Sequence, residues 1–349
     1  MSRLDLVERL VRIPSVSESE GAIADAVADE LSSFSHLSVT RIGDNVIAHP
    51  HVGETVVLLV AHLDTVPGDV SEVRRDGDTL AGVGACDTKG SVAGLLELAA
   101  TKWPVPVTYV FYAREEIARA RSGLLEIHDV RPDLLSARVA VVGEPTLGAV
   151  EAGCQGSLRV RVTLRGVRAH TSRPFMGVNA IHRLTSVLER VADWVPRSVT
   201  LDGVEFTEQL QVVRVEGGVA NNVVPDLATL VVNFRFAPDR SDEDAVSWLR
   251  DFLGDTLAPS DRFEVDDLAP AARPHLSHPD VADLVHVSGT PARAKVGWTD
   301  VATLSAWGVP SVNVGAGDPL LAHSPEECLR ESEMTDYVTT LREWLESRR

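Results

Sequence analysis

Short apolar runs and helically spaced apolar residues alternate along the first part of this chain. Three runs of β-branched and aliphatic residues are too apolar for exposed strands and too short for surface helices, which predicts strands buried on both faces of a sheet. They are residues 56–61, 105–113 and 139–142. Helical spacing predicts amphipathic helices over residues 4–11 and 17–31, the second with an acid-rich first turn from Ser19. Residues 91–101 predict a helix rich in alanine and leucine. Strands that alternate with helices favour an α/β sandwich.

The pattern changes near residue 157, where apolar and polar residues begin to alternate singly, as they do in half-exposed antiparallel strands. The order strand, helix, two strands, helix, strand predicts a small α+β domain with a ferredoxin-like order. These elements are residues 158–164, 179–194, 209–215, 228–236, 242–253 and a strand from 262. The α/β pattern then resumes, with a helix from Pro279 and a strand at 309–314. We therefore predict a catalytic domain of residues 1–156 and 270–349, interrupted by an inserted domain of residues 157–269.

Composition narrows the class of protein. The 349 residues include 44% hydrophobic residues, enough to build the cores of two domains. A formal net charge of −18 argues against binding to nucleic acid or to an anionic membrane, since both need a basic face. The three cysteines are odd in number and widely spaced, which favours a reducing compartment. The N-terminal segment lacks a leader-like apolar core and no stretch could span a bilayer, so we expect a cytoplasmic protein.

Candidate chemistry lies where the run at residues 56–61 ends. His62 and Asp64 are two residues apart, so on an extended chain their side chains leave the same face. Asp87 follows a turn rich in glycine. An imidazole and carboxylates at the carboxyl end of a strand suit a divalent metal such as zinc. The alternative is a capping aspartate beside a solvated loop histidine.

Further acids and a histidine follow other predicted strands. Glu115 and Glu116 come after the run at residues 105–113, Glu144 follows residues 139–142, and His323 lies after a glycine-rich segment. Groups at several strand ends of one sheet converge where α/β folds place their ligands. Adjacent acids on an extended chain point in opposite directions, so one could bind metal while the other transfers protons. The alternative for the two glutamates is an ordinary solvated face.

Taken in order, these motifs resemble the co-catalytic zinc amidohydrolases, a family that contains aminoacylase, carboxypeptidase G, N-acetylornithine deacetylase and succinyl-diaminopimelate desuccinylase. The resemblance covers nearly the whole chain. It rests on His62-Leu-Asp64-Thr-Val-Pro67, Gly84-Ala-Cys-Asp87-Thr-Lys89-Gly90, Glu115-Glu116, Gly143-Glu144-Pro145-Thr146 and His323. It implies a zinc-exopeptidase-like α/β sandwich with an inserted lid and dimerisation domain.

The resemblance also implies roles for these residues around two divalent ions, zinc or alternatively cobalt or manganese. Asp87 would bridge the ions. His62 and Glu144 would complete one site, and Glu116 and His323 the other. Asp64 would orient His62, and Glu115 would be the general base for hydrolysis of an amide. His170, in the inserted domain, would stabilise the oxyanion in the active site of a neighbouring subunit, which implies a homodimer.

Several short stretches look closest to the desuccinylase branch, whose substrate, N-succinyl-LL-2,6-diaminopimelate, is a small N-acyl amino acid with three carboxylates. By this resemblance Asn222, Arg235 and Thr299 would bind substrate. An arginine of the better-known pattern is replaced by Cys154-Gln155, and we hypothesise that Arg173 takes over part of its carboxylate binding. The residues after Arg173 also depart from the branch. A different deacylase or peptidase, such as an N-acetylornithine deacetylase, therefore remains an alternative. Glu115 speaks against the third alternative, an inactive metal-binding protein, which would not need a general base.

Overall fold

The computed structural model describes residues 2–51 and 53–348. Its strands are β1 (Leu37–Ile42), β2 (Asn45–Pro50), β3 (Val57–His62), β4 (Arg74–Asp76), β5 (Thr79–Ala81), β6 (Val107–Tyr112), β7 (Val139–Val142), β8 (Glu151–Ala152), β9 (Gly156–Arg165), β10 (Ala169–His170), β11 (Ser198–Leu201), β12 (Val204–Thr207), β13 (Gln209–Gly217), β14 (Val223–Val224), β15 (Leu227–Phe236), β16 (Arg262–Ala269), β17 (Arg293–Ala294), β18 (Ser311–Asn313) and β19 (Cys328–Arg330). Its helices are α1 (Arg3–Val11), α2 (Gly21–Ser32), α3 (Gly90–Ala99), α4 (Gly123–Val130), α5 (Ala180–Ala192), α6 (Asp242–Gly254), α7 (Pro279–Ser288), α8 (Val301–Ala306) and α9 (Glu331–Glu346).

Contacts divide the chain into two compact units. One unit contains residues 1–153, 274–295 and 299–349, and the other contains residues 154–273 and 296–298. The second unit thus includes three residues, 296–298, that lie far along the chain from the rest of it. We call the two the sheet unit and the inserted unit.

The sheet unit is organised around an eight-stranded mixed sheet in the order β1-β2-β6-β3-β7-β18-β8-β17. Its centre is parallel: β3 pairs with β6 and β7, and β7 pairs with β18. All six residues of β3 are buried, and alternate ones (Val57, Leu59 and Ala61) belong to a core that also contains apolar side chains of α1, α2, α3, α7 and α9. The buried-strand and α/β predictions are confirmed. Because four neighbouring strands run the same way, their carboxyl ends lie at one edge of the sheet.

One helix begins later than its apolar spacing predicts. Residues 17–20 lie outside α2, which starts at Gly21 rather than Ser17. Val16 forms a bridge with Thr65, and Glu18 adopts a positive φ of 76°, a conformation incompatible with a helix. Pairing with the segment after β3 therefore overrides the local preference of this turn for a helix.

The inserted unit contains a four-stranded antiparallel sheet in the order β13-β15-β9-β16. With α5 and α6 in their places along the chain, this is the predicted ferredoxin-like order. The hairpin β11–β12 is an addition that the alternating pattern does not predict. Apolar residues of α5, α6 and the inward face of the sheet form the core of this unit. Among the described residues, every helix is too short or too polar to cross a membrane.

Candidate metal centre

Asp87 lies between two histidines at the carboxyl edge of the parallel strands. His62 is the last residue of β3, and its Nε2 is 3.1 Å from Asp87 Oδ1. The other carboxylate oxygen of Asp87, Oδ2, is 3.3 Å from Nε2 of His323. The same His323 nitrogen is 2.8 Å from Oε1 of Glu116. One carboxylate therefore presents its two oxygens to two imidazoles that come from opposite ends of the chain.

Asp64 connects the His62 strand with the two glutamates after β6. Its carboxylate accepts the backbone N–H of Glu115 at Oδ1 (2.9 Å) and that of Glu116 at Oδ2 (3.0 Å). The hydroxyl of Ser17 donates to Oδ2 at 2.7 Å. Toward His62, the closer group is the backbone carbonyl of Asp64, 3.0 Å from Nδ1, while the carboxylate is 3.5 Å away. Asp64 thus holds the turn that bears Glu115 and also contacts the imidazole that it was expected to orient.

Glu144 follows β7, and a glycine-rich loop approaches it closely. A Cβ on Gly315 would lie 2.2 Å from the carbonyl oxygen of Glu144, so only glycine fits there. The side chain of Glu144 is buried, and its Oε1 forms no hydrogen bond with any residue that the structure describes. Burial, together with the negative charge of Asp87, raises the pKa of Glu144 to about 7, while Lys295 opposes this shift. The Lys295 ammonium is 3.1 Å from Glu151 and 3.4 Å from the carbonyl oxygen of Pro145.

The acids and histidines of this edge perturb one another. Burial and then the charge of Glu144 raise the pKa of Glu115 well above its usual range. Hydrogen bonds to Asp87 and Glu116 raise the pKa of His323 to about 10. Burial disfavours the charged form of His62, but Asp64 and Asp87 outweigh it and raise its pKa. A concentration of negative charge that draws protons onto its neighbours is what bound cations would neutralise.

The donor set fits divalent metal ions of the zinc class. Two groups of three side chains have ligand atoms that all lie within 4.8 Å of one another: Asp87, Glu116 and His323, and His62, Glu115 and Glu116. The first group is the expected second site. In the expected first site, His62 and Asp87 are in contact. Glu144 belongs to neither group, and the group that contains His62 has Glu115 in its place. Nitrogen and carboxylate oxygen donors suit zinc, and the place of Glu144 among the ligands stays a prediction.

Four of the residues considered for substrate or oxyanion binding belong to the inserted unit. His170, Arg173 and Asn222 are exposed, and Arg235 is partly buried in β15. Nδ1 of His170 accepts the backbone N–H of Ser172 at 3.1 Å, so in the neutral ring the proton is on Nε2, which can donate. Burial and then the charge of Arg159 lower the pKa of Arg235, whose guanidinium forms no hydrogen bond or ion pair with another described residue.

Thr299 belongs to the sheet unit and is buried. Its hydroxyl donates to Oδ1 of Asn313, on β18, at 2.9 Å. The following residue, Asp300, is also buried, and burial raises its pKa against the opposing hydroxyls of Thr303 and Tyr112.

Sequence patterns missed three buried charged residues near this edge: Lys295, Asp300 and Glu327. Lys295 carried a weak signal, because the chain has only three lysines and uses arginine almost everywhere else. Asp300 follows directly after Thr299, one of the residues considered for substrate binding. Glu327 had no signal beyond its place four residues after His323.

Comparisons with known proteins agree with this geometry. The model of peptidase family M20/M25/M40 matches residues 58–347. A succinyl-diaminopimelate desuccinylase of Corynebacterium glutamicum is 39% identical over 350 residues, which cover 97% of this chain and 95% of that protein. A protein of Mycobacterium tuberculosis, named as a candidate succinyl-diaminopimelate desuccinylase, is 45% identical over 348 residues, 98% of this chain and 97% of that one.

Solved structures show the same fold at low identity. A tripeptidase from Staphylococcus aureus superposes with a TM-score of 0.80 at 18% identity and covers 99% of this chain and 97% of its own. An M20 metallo-carboxypeptidase from Sulfolobus solfataricus gives 0.73 at 17% identity, with 99% and 98% covered. The predicted zinc-exopeptidase-like architecture is therefore confirmed, and the chain belongs to peptidase family M20/M25/M40.

Proposed function

We propose that this protein is a metal-dependent amide hydrolase that cleaves N-succinyl-LL-2,6-diaminopimelate into succinate and LL-2,6-diaminopimelate, a reaction of diaminopimelate and lysine biosynthesis. The observation that carries the hydrolase assignment is the position of Asp87, with each carboxylate oxygen facing a different histidine. The choice of substrate is supported by relatives 45% and 39% identical over nearly their whole length. We place this reaction in the cytoplasm, as the cysteine content suggests.

The residues that would hold two divalent ions are His62, Asp87 and Glu144 for one ion and Asp87, Glu116 and His323 for the other. Zinc matches these donors, and cobalt or manganese would accept the same set. When bound, such ions supply a Lewis acid for the amide carbonyl and lower the pKa of water. The chain itself supplies a buried, rigid frame, since Asp64, Glu144 and Asp87 are fixed by the ends of β3 and β7 and by the loop before α3.

Glu115 is the proposed proton carrier. Its backbone N–H is fixed by Asp64, and its carboxyl lies in the cluster of His62 and Glu116. Burial and the charge of Glu144 raise the pKa of this carboxyl in the metal-free chain, and the positive charge of bound ions would favour the ionised form that accepts a proton. It can therefore take a proton from the attacking water and hold it until the leaving amine needs it.

The substrate would be held by its carboxylates. Arg235 supports this role, because a partly buried guanidinium that has no acceptor among the described residues is well suited to a carboxylate of the ligand. Arg173, Asn222 and Thr299 are proposed as further contacts. His170 is proposed as the donor to the oxyanion, a role supported by a ring that carries its proton on Nε2.

We also propose that the inserted unit is the lid and forms a homodimer. Its edge strand β13 exposes Val213 and Val215, and α5 exposes Ile181 and Leu188. Apolar side chains next to an unpaired strand edge are suited to pairing with a second copy of the same surface.

The test is an activity panel on purified protein, first stripped of metal and then loaded with zinc, cobalt or manganese. We expect release of succinate from N-succinyl-LL-2,6-diaminopimelate only after metal is restored, with a much lower kcat/KM for N-acetylornithine and simple dipeptides. A higher kcat/KM for N-acetylornithine would replace the desuccinylase assignment with the alternative deacylase. No turnover of any amide with any metal would contradict the hydrolase assignment.

A further inference from the structure

Glu327 is a buried acid with an unusual pair of hydrogen bonds. The residue is 3% exposed and lies four positions after His323. Its Oε1 accepts the backbone N–H of Cys86 at 3.1 Å and that of Asp87 at 3.2 Å. The carboxylate therefore contacts the peptide groups that carry the side chain proposed to bridge the two metal ions.

The backbone around Glu327 is tied to the same loop. The carbonyl of Glu327 accepts the N–H of Gly82 at 3.1 Å, and the next residue, Cys328, pairs with Ala81 where β19 joins β5. Toward His323, the N–H of Glu327 donates to the carbonyl of Ser324 at 3.1 Å and closes a short turn. Residues 81–87 and 323–328 are thus held together by both backbone and side-chain bonds.

These bonds fix the relative placement of Asp87 and His323. Two peptide N–H groups in a buried loop need an acceptor, and a single carboxylate oxygen on the neighbouring segment satisfies both of them. If this acceptor were lost, the loop would have to reorient so that the two N–H groups reach another acceptor. The side chain of Asp87 would then move with its backbone. Partners that orient metal ligands in this way typically change metal affinity or activity about 10–100-fold when they are removed.

We propose that Glu327 is a positioning residue of the metal centre, which holds the Asp87 loop against the His323 segment so that Asp87 can face both histidines. This inference rests on the proposed function, because it presumes that the edge binds metal. The hydrogen bonds of the Glu327 side chain reach the backbone N–H groups of Cys86 and Asp87. It acts through the backbone of Asp87.

The test compares zinc affinity, measured by competition with a chromophoric chelator, in the wild-type protein and four variants. Glu327→Ala removes the acceptor, Glu327→Asp withdraws it by one methylene, and Glu327→Gln keeps an acceptor oxygen without the charge. Glu326→Ala is the matched control, since Glu326 is the adjacent acid and is exposed. Circular dichroism of each metal-free variant reports folding separately.

We expect zinc to bind about 10–100-fold more weakly to Glu327→Ala and Glu327→Asp, with Glu327→Gln closer to wild type and Glu326→Ala unchanged. Wild-type affinity in Glu327→Ala would overturn the inference. So would an equal loss in Glu327→Gln and Glu327→Ala, because the amide oxygen can accept the same two bonds. If Glu327→Ala does not fold, the zinc affinities of Glu327→Asp and Glu327→Gln test the inference. Wild-type affinity in Glu327→Asp would then overturn it.

The two proposals fail in different ways. If wild-type protein binds zinc but hydrolyses no amide, the proposed function falls while the affinity series still tests Glu327. If wild-type protein binds no divalent metal at all, both fall. Normal hydrolysis together with normal zinc affinity in Glu327→Ala removes only the role of Glu327.

Discussion

The carboxylate of Asp64 accepts the backbone N–H of Glu115 at 2.9 Å. The proposed general base is therefore held by a residue only two positions after His62, a proposed metal ligand. The second oxygen of Asp64 holds Glu116 in the same way. This arrangement gives Asp64 two tasks, because it is attached to the His62 strand and also fixes the turn after β6. A change at Asp64 should therefore affect proton transfer and metal binding together.

Asp64→Asn should lower kcat by about 10–100-fold, because an amide has only one acceptor oxygen for two backbone N–H groups. The measurement is steady-state kinetics with zinc content determined on the same samples. Ser17→Ala is the matched control, since it removes a single hydrogen bond from the same carboxylate. It should have a clearly smaller effect, and an equal loss in both variants would contradict the positioning of Glu115 by Asp64.

Glu115→Gln should reduce turnover by about 10²–10⁴-fold and leave zinc bound. The amide keeps the shape of the side chain but cannot take a proton from water. Metal content by atomic absorption and kcat are the two readouts. Glu116→Gln is the comparison, because Glu116 is a proposed ligand and its loss should remove zinc as well as activity. Retained turnover in Glu115→Gln would rule out the proposed base.

Removing the metal should make stability depend on pH. The pKa of Glu144 is raised to about 7 in the folded chain, above the value of about 4.3 for an exposed glutamate, so the folded metal-free protein binds this proton more tightly than the unfolded chain does. The stabilisation from this proton is complete below about pH 4 and is lost as the pH rises through 7. Thermal unfolding of chelator-treated protein should therefore give a lower Tm at pH 8 than at pH 5.

Zinc should reverse this trend, because ligands must be deprotonated to bind it and its affinity rises with pH. Glu144→Gln, also metal-free, is the control and should show a smaller fall in Tm over the same interval. An identical pH profile in the variant would show that another group is responsible for the dependence.

Glu208→Gln should destabilise the inserted unit. The Glu208 carboxylate is buried and is bonded by Arg197 and Arg240 and by the N–H of Ala237. Although burial opposes ionisation, these partners lower its pKa. We expect a loss of about 2–3 kcal/mol in the free energy of unfolding at pH 7, as for hydrogen bonds to a charged group.

The sign of the pH dependence follows from the lowered pKa of Glu208. The stabilisation by its ionised form is present above the unfolded value of about 4.3 and disappears as the pH falls through the folded value. The difference between Glu208→Gln and wild type should therefore shrink in acid. Glu205→Gln, an exposed change on β12, the strand that ends just before Glu208, should leave the unfolding free energy unchanged at both pH values. A constant difference down to pH 3 would contradict the role of the charge.

Arg235→Ala should raise KM for N-succinyl-LL-2,6-diaminopimelate by about 10–100-fold, corresponding to one charge-assisted carboxylate contact. Arg173→Ala should raise the same KM if Arg173 replaces the arginine missing at Cys154-Gln155. Arg161→Ala is the control, because Arg161 lies in the same sheet but is paired with Asp266. An unmoved KM in either test variant would remove that residue from the substrate site.

The sequence was sufficient for the parts of the site that lie at strand ends. The predicted strand at residues 139–142 has the bounds of β7, and the strand predicted at residues 56–61 lies one residue before β3. His62 and Glu144 were therefore expected at the edge of the sheet, where the structure has them. Strand ends can be predicted because a run of buried apolar residues ends where the first polar or charged side chains follow it. The start of α2 could not be predicted, since it depends on the bridge from Val16 to Thr65.

Glu327 and Lys295 also could not be predicted, because their partners are distant in sequence. Glu327 forms hydrogen bonds with backbone N–H groups 240 and 241 positions away. Every residue except proline has such an N–H, so the residue types at those positions do not reveal the bond. Lys295 approaches Pro145 and Glu151 through the pairing of β17 with β8. Only the fold brings these partners together, whereas the proposed ligands could be chosen by residue type and by the resemblance.

The parallel pairing of β18 with β7 has a consequence for synthesis of the chain. More than 160 residues separate these neighbouring strands, and the inserted unit is made between them, with its four-stranded sheet contributed by one continuous segment. On the ribosome, the inserted unit can therefore fold before the larger sheet that flanks it in sequence has received its later strands. His323, a proposed ligand, follows β18, so the proposed metal centre should be completed only after β18 has been translated.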